Sequence, residues 1–132
     1  MAAETTAEAR IREYYEALRN GEPLYPFFAD CPDVVKFGIT ERLTGYEEIE
    51  AGLREQTATT ADWTAESRNL RVVERDDHAW FSDDVRMAWH DVAADREYDF
   101  DSRWSGTLER EGNEWLFVGM HVSAVPGGPL AE

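Results

Sequence analysis

The chain has 132 residues, 42 % of them apolar and 12 % aromatic, with a formal charge of −15 from 28 acidic and 13 basic side chains. That length suits one domain with its own core, and the apolar content excludes a disordered acidic tail. The acidity sets the protein against phosphate backbones and excludes nucleic acid as an expected partner.

Met1 to Arg12 lacks the apolar core of a signal peptide, and no apolar run reaches the roughly 18 residues of a membrane span. Thr5 and Glu8 form a capping-box pattern. Ile11, Tyr14, Tyr15 and Leu18 then recur at helical spacing until Asn20-Gly21, which predicts a helix over 6–20. Glu22 to Asp30 is short, broken by proline and aromatic (Tyr25, Phe27, Phe28), and suits a helical turn packed beneath the first helix. Cys31 has no partner for an internal disulfide, which fits a reducing compartment and a cytoplasmic location. Val34, Val35, Phe37 and Ile39 predict a short strand over 33–40. Thr44 with Glu47 is a second capping box, and Tyr46, Ile49, Leu53 and Gln56 share one face of a helix ending near Thr59.

From Trp63 onward the pattern changes to strands, over about 63–74, 79–90, 97–108 and 114–125, joined by short charged turns as an antiparallel meander. In the third of these Tyr98, Phe100, Ser102 and Trp104 point one way and Asp99, Asp101 and Arg103 the other. In the last, strict alternation places Trp115, Phe117, Gly119, His121 and Ser123 on one face and Leu116, Val118, Met120, Val122 and Ala124 on the other. Pro126-Gly127-Gly128-Pro129 ends the pattern, so a single domain over 1–125 with a flexible tail over 126–132 is expected. Helices gathered ahead of an antiparallel sheet mean an α+β fold with the helices on one face. Of the 13 bases only Lys36 is a lysine, and this acidic, lysine-poor balance fits a protein working in concentrated salt, where counterions screen self-repulsion.

The order of elements, with Thr44-Gly45-Tyr46-Glu47-Glu48-Ile49 and the run Glu109-Arg110-x-Gly112-x-Glu114-Trp115 leading to His121-x-Ser123, resembles the SnoaL-like branch of the nuclear transport factor 2-like (NTF2-like) superfamily. The resemblance covers Ile11 to Val125. It implies a cone, in which a curled mixed or antiparallel sheet wraps the helices and a pocket opens on its concave side. Members of that superfamily serve as isomerases, cyclases, dehydratases, epoxide hydrolases or plain binding modules, so the fold fixes no reaction. Many relatives carry a second histidine where this chain has Gly119, and the isomerase-like members carry a carboxylate base where it has Val34-Val35-Lys36-Phe37.

Among single residues His121 is the leading candidate, as acid–base, as hydrogen-bond donor to a ligand, or as a core histidine. Asp83 and Asp84 interrupt an apolar strand, so that one could point inward and act as an acid or the two form an exposed pair. His78 and His90 bracket that strand, and with His121 they offer no ligand spacing for a metal. The expected pocket is lined by Tyr15, Phe28, Phe37, Trp89, Phe100, Ser102, Trp104, Phe117, His121 and Ser123 and holds a small, largely apolar molecule. Two functions stay open: binding without turnover, or a cofactor-independent lyase, isomerase or hydrolase using His121. The apolar row from Leu116 to Ala124 predicts a homodimer through the convex sheet face.

Overall fold

A computed structural model describes residues 6–125; the predicted tail over 126–132 and the proposed cap Thr5 lie outside them. Helix α1 (Ala7–Arg19) starts at Thr6, whose hydroxyl accepts from the Ala9 N–H at 3.0 Å, and it buries Ile11, Tyr14, Tyr15 and Leu18. Each large apolar side chain so buried contributes about 1.5–3 kcal/mol. A 3-10 turn at Tyr25–Phe27 follows, and beyond it the Ala29 N–H donates to the Phe117 carbonyl at 2.9 Å. The predicted strand is shorter than expected, β1 (Val35–Phe37), because the chain turns at once into an unpredicted partner, β2 (Arg42–Thr44). Helix α2 (Tyr46–Thr59) buries Ile49 and Leu53; Gly45, at φ +85°, takes its cap position, and it is Glu48 rather than Glu47 that reaches back to the Thr44 N–H, at 3.0 Å.

The expected strand over 63–74 is two, β3 (Thr60–Ser67) and β4 (Arg71–Glu74). The break falls where the Asn69 N–H donates to the Asp83 carboxylate and the Arg68 N–H to the Asp84 carbonyl, both at 2.9 Å. Long strands β5 (His78–Asp91), β6 (Arg96–Glu111) and β7 (Glu114–Ala124) complete a seven-stranded sheet of order β2-β1-β7-β6-β5-β3, with β4 also pairing β5. Every neighbour pair is antiparallel except β1 with β7, so the sheet is mixed. It curls round α1, and the core lies between them, centred on Tyr14, Tyr15, Phe28, Trp104, Leu108, Trp115 and Phe117. No helix among the described residues is long and apolar enough to cross a membrane.

One irregularity redirects the last strand. Phe117 pairs with Leu108 but Gly119 pairs with Thr107, which makes Val118 an extra residue, a β-bulge. Before the bulge Trp115 and Phe117 point to the core; after it the core residues are Met120 and Val122, while His121 is exposed. The parity of the strand is thus inverted halfway along. Gly106 permits this close approach: a Cβ there would lie 2.5 Å from the Gly119 carbonyl oxygen and 2.8 Å from the Phe81 ring.

Candidate functional site

The concave side holds a cavity of about 270 Å³ between α1, α2, the β1–β2 turn and the far ends of β3, β5 and β6. Its walls are Tyr14, Leu18, Ile39, Trp63, Met87, Trp89, Trp104 and Val122, with Gln56, Thr59 and Thr60 along the α2 side. The aromatic wall is a built stack. Trp63 lies on Trp89 at 4.7 Å, Trp89 on Tyr98 at 4.9 Å, and Phe100 meets Trp89 edge-on at 5.5 Å. Polar atoms in that wall already have partners: the Trp63 indole N–H donates to Thr60 Oγ1 at 2.7 Å, and the Trp104 indole N–H donates to Ser102 Oγ at 2.9 Å.

Against these rings stands one ion pair. Alternation along β1 turns Phe37 outward and Lys36 inward, leaving Lys36 5 % exposed with its Nζ 3.2 Å from Glu41 Oε1. Glu41 sits on the turn closed by the Gly38 N–H and the Glu41 carbonyl (2.9 Å), and it folds over Gly38, where a Cβ would come within 2.8 Å of its Cγ. Burial drives the Lys36 ammonium below its ordinary pKa, and the Glu41 carboxylate acts in the opposite direction. The Tyr14 phenol is held well above its ordinary range by burial and then by the charge of Glu41. The arrangement can therefore offer a ligand an ammonium or amine, a carboxylate and a phenol in a partly open cavity with one aromatic wall.

Of the residues expected in the pocket, Trp89 and Trp104 line the cavity. Tyr15 does not: its hydroxyl donates to Asp83 Oδ2 at 2.9 Å, so the inward member of the Asp83–Asp84 pair is tied between Tyr15 and the Asn69 N–H. Phe28 and Phe117 are core residues packed on each other at 5.4 Å, and Phe100 stands behind Trp89. Ser102 is buried with its hydroxyl donating to the Val85 carbonyl and accepting from Trp104. His121, Ser123 and Phe37 are on the other side of the sheet. The bulge at Val118 turns His121 and Ser123 outward, and the His121 ring rests on exposed Phe37 at 5.5 Å. There His121 and Ser123 border a second depression of about 290 Å³ with Asn69, Ser82, Asp83, Asp84, Arg103, Trp104 and Ser105. The same bulge breaks the expected apolar row, since Met120 and Val122 are buried. His78 and His90 lie at the ends of β5, beside Asp77 and Asp95 respectively. Among the described residues no group of three or more His, Cys, Asp or Glu side chains is arranged to hold a metal.

A family model for the SnoaL-like domain matches residues 7–127. The chain belongs to the SnoaL-like domain family. No curated protein matches it. Similar solved structures include an NTF2-like superfamily protein from Salmonella enterica (16 % identity, 91 % of this chain and 88 % of that one, TM-score 0.77). A ketosteroid isomerase-like protein from Erwinia carotovora shares 16 % identity over 91 % of this chain and 94 % of that one, TM-score 0.75. An NTF2-like protein of unknown function from Pseudomonas putida shares 20 % over 96 % and 88 %, TM-score 0.76. At these identities the likeness establishes the NTF2-like cone alone. Within this SnoaL-like domain, alternation along β1 and the tight turn after it bring Lys36 and Glu41 to a cavity that Thr40, Glu55, Gln56, Thr59 and Thr60 also line.

Proposed function

We propose that this SnoaL-like domain binds a small, flat, largely apolar molecule in its cone, with the Lys36–Glu41 pair anchoring the one polar end of that molecule. The observation that carries the reading is a buried lysine, paired with a half-exposed glutamate, in the same cavity of about 270 Å³ as a stacked aromatic wall. Apolar walls with a few convergent polar groups are the usual composition of a small-molecule site. Trp63, Trp89 and Trp104 all border the cavity, so occupancy is read directly by quenching of tryptophan fluorescence. Native mass spectrometry of freshly purified protein identifies any molecule carried along. The reading requires that Lys36→Met weaken binding of an oxygen-bearing aromatic such as 2-naphthol by about 1–3 kcal/mol, as expected when a ligand's polar group loses its buried partner. Equal affinity for both proteins overturns it.

A second reading is turnover as a cofactor-independent lyase, isomerase or hydrolase, and the same pair favours it. A lysine whose pKa is lowered beside a carboxylate can shuttle a proton. In that case the acid–base group is Lys36 with Glu41 rather than His121. The domain spans 1–125, operates in the cytoplasm at high ionic strength, and associates as a homodimer through the convex face. Exposed Phe37 and Trp80 and half-buried Leu116 and Val118 support that face as the contact. Light scattering in molar salt reports the mass: a dimer that Trp80→Asp converts to monomer is expected, and a wild-type monomer removes the idea.

A further inference from the structure

The single lysine of the chain is buried inside the cone, while none of the twelve arginines is fully buried. If the position called only for a positive charge to meet Glu41, arginine would supply it with a better fork for a carboxylate. Lysine has one capacity that arginine lacks, which is to give up its proton and become a nucleophilic amine. The surroundings promote that step. Lys36 is buried, its proton acceptor Glu41 Oε1 is 3.2 Å away, and Glu41 is itself 37 % exposed and so able to exchange protons with solvent. Lys36 lines the same cavity as Tyr14, Trp104 and Val122.

We propose that Lys36 captures the carbonyl carbon of an aromatic aldehyde or ketone as an imine, making the cone a covalent, reversible carbonyl site. The inference rests on the reading of the cone as a small-molecule pocket and names the class of molecule it holds. Lys36 passes a proton to Glu41, and the freed amine lone pair attacks the carbonyl carbon, forming the C–N bond. The carbonyl oxygen takes the proton back from Glu41. Glu41 then removes a proton from nitrogen and delivers it to the hydroxyl, which leaves as water while the nitrogen lone pair closes the C=N bond. The products are one water and a protonated imine paired with the Glu41 carboxylate, so charge and atoms balance without oxidant or cofactor. Hydrolysis runs the same steps backward.

The test uses the folded full chain with 2-naphthaldehyde and sodium cyanoborohydride at neutral pH, and 2-naphthol as a non-carbonyl control. Because the chain has one lysine, the only primary amines are Lys36 and the α-amino group, and peptide mass mapping separates them. The expected result is a reduced naphthylmethyl adduct on Lys36, formed at least about tenfold faster than in the urea-unfolded chain, since positioned acid–base groups contribute about 10²- to 10⁴-fold. Glu41→Gln should slow trapping by more than about tenfold when each protein is compared at aldehyde concentrations that saturate its own tryptophan quenching. Lys36→Arg should yield no adduct beyond the α-amino group. Binding of both aromatics with Lys36 labelled no faster folded than unfolded overturns the imine and leaves the pocket standing. Failure of either aromatic to bind overturns the pocket, and the imine with it.

Discussion

Replacing Lys36 by methionine should make the protein more stable and flatten its response to pH. Methionine keeps the length and the apolar stem and removes only Nζ. The lysine side chain is 7 % exposed, and among the described residues Nζ has one ion-pair partner, Glu41, which is 37 % exposed and can be hydrated once the ammonium is gone. That the pKa of Lys36 is lowered says which effect wins: desolvation outweighs the attraction of Glu41. Exchanging such a pair for a well-packed apolar residue is worth about 1–4 kcal/mol in favour of the fold. The sign of the pH effect follows. A lysine whose folded pKa lies below its unfolded one binds more proton in the unfolded state between those two values. Wild-type stability therefore climbs with pH through that window, with a limiting slope of about 1.4 kcal/mol per unit, until the unfolded value near 10.4. Tyr14 and Tyr15 act oppositely and only above about pH 10, because their phenols are held above the ordinary range and the unfolded chain releases those protons first. Urea unfolding in about 2 M potassium chloride, where surface charge is screened, between about pH 7 and 9.5 isolates the lysine. A Lys36→Met protein that is less stable than wild type at pH 7, or that keeps the wild-type slope, refutes the reasoning.

His121→Ala should leave the affinity of the cone for 2-naphthol unchanged and cost about 0.5–1.5 kcal/mol for the lost Phe37 contact; a large drop in affinity by calorimetry would return His121 to the site. Gly106→Ala should destabilise by about 3 kcal/mol, since its Cβ meets backbone 2.5 Å away that cannot swing aside, and an unchanged denaturation midpoint would contradict the packing at the bulge. The thermal midpoint should rise steeply with potassium chloride as the −15 charge is screened, and a flat profile between about 0.05 and 2 M would show the acidity to be incidental.

The fold was readable because both helices carry strong apolar periodicity and the strands after Trp63 alternate over long runs. The short β2 was missed because Arg42-Leu43-Thr44 has too few residues to show a period, and its pairing is dictated by the turn at Gly38–Glu41. His121 and Ser123 take the face opposite to the one strict alternation predicts, for one physical reason. Strict alternation carries a side chain's direction along a strand only while no residue is inserted, and nothing in Phe117-Val118-Gly119-Met120 announces that Val118 is extra. With that one residue counted as regular, His121 and Ser123 fall on the core face. Lys36 was visible as the single lysine in an apolar run, and Val35 and Phe37 at its sides state its parity. A charged residue in a three-residue strand reads as a solvent-facing one, and only the parallel pairing to β7, with Met120 opposite, shows that its side of β1 is the inner one.

That parallel pairing also orders the assembly of the molecule. All fourteen residues of β5 pair with β6 across a short turn, so this hairpin closes a small loop and can form early. By contrast, Val35 must find Gly119 and Phe37 must find His121 from opposite ends of the chain. Until β7 docks, β1 has only β2 beside it, and the Lys36 amine has no enclosure to lose its water in. The proposed ligand site is therefore completed with the slowest contact of the topology, and refolding followed by tryptophan quenching with 2-naphthol should lag behind the appearance of β-structure.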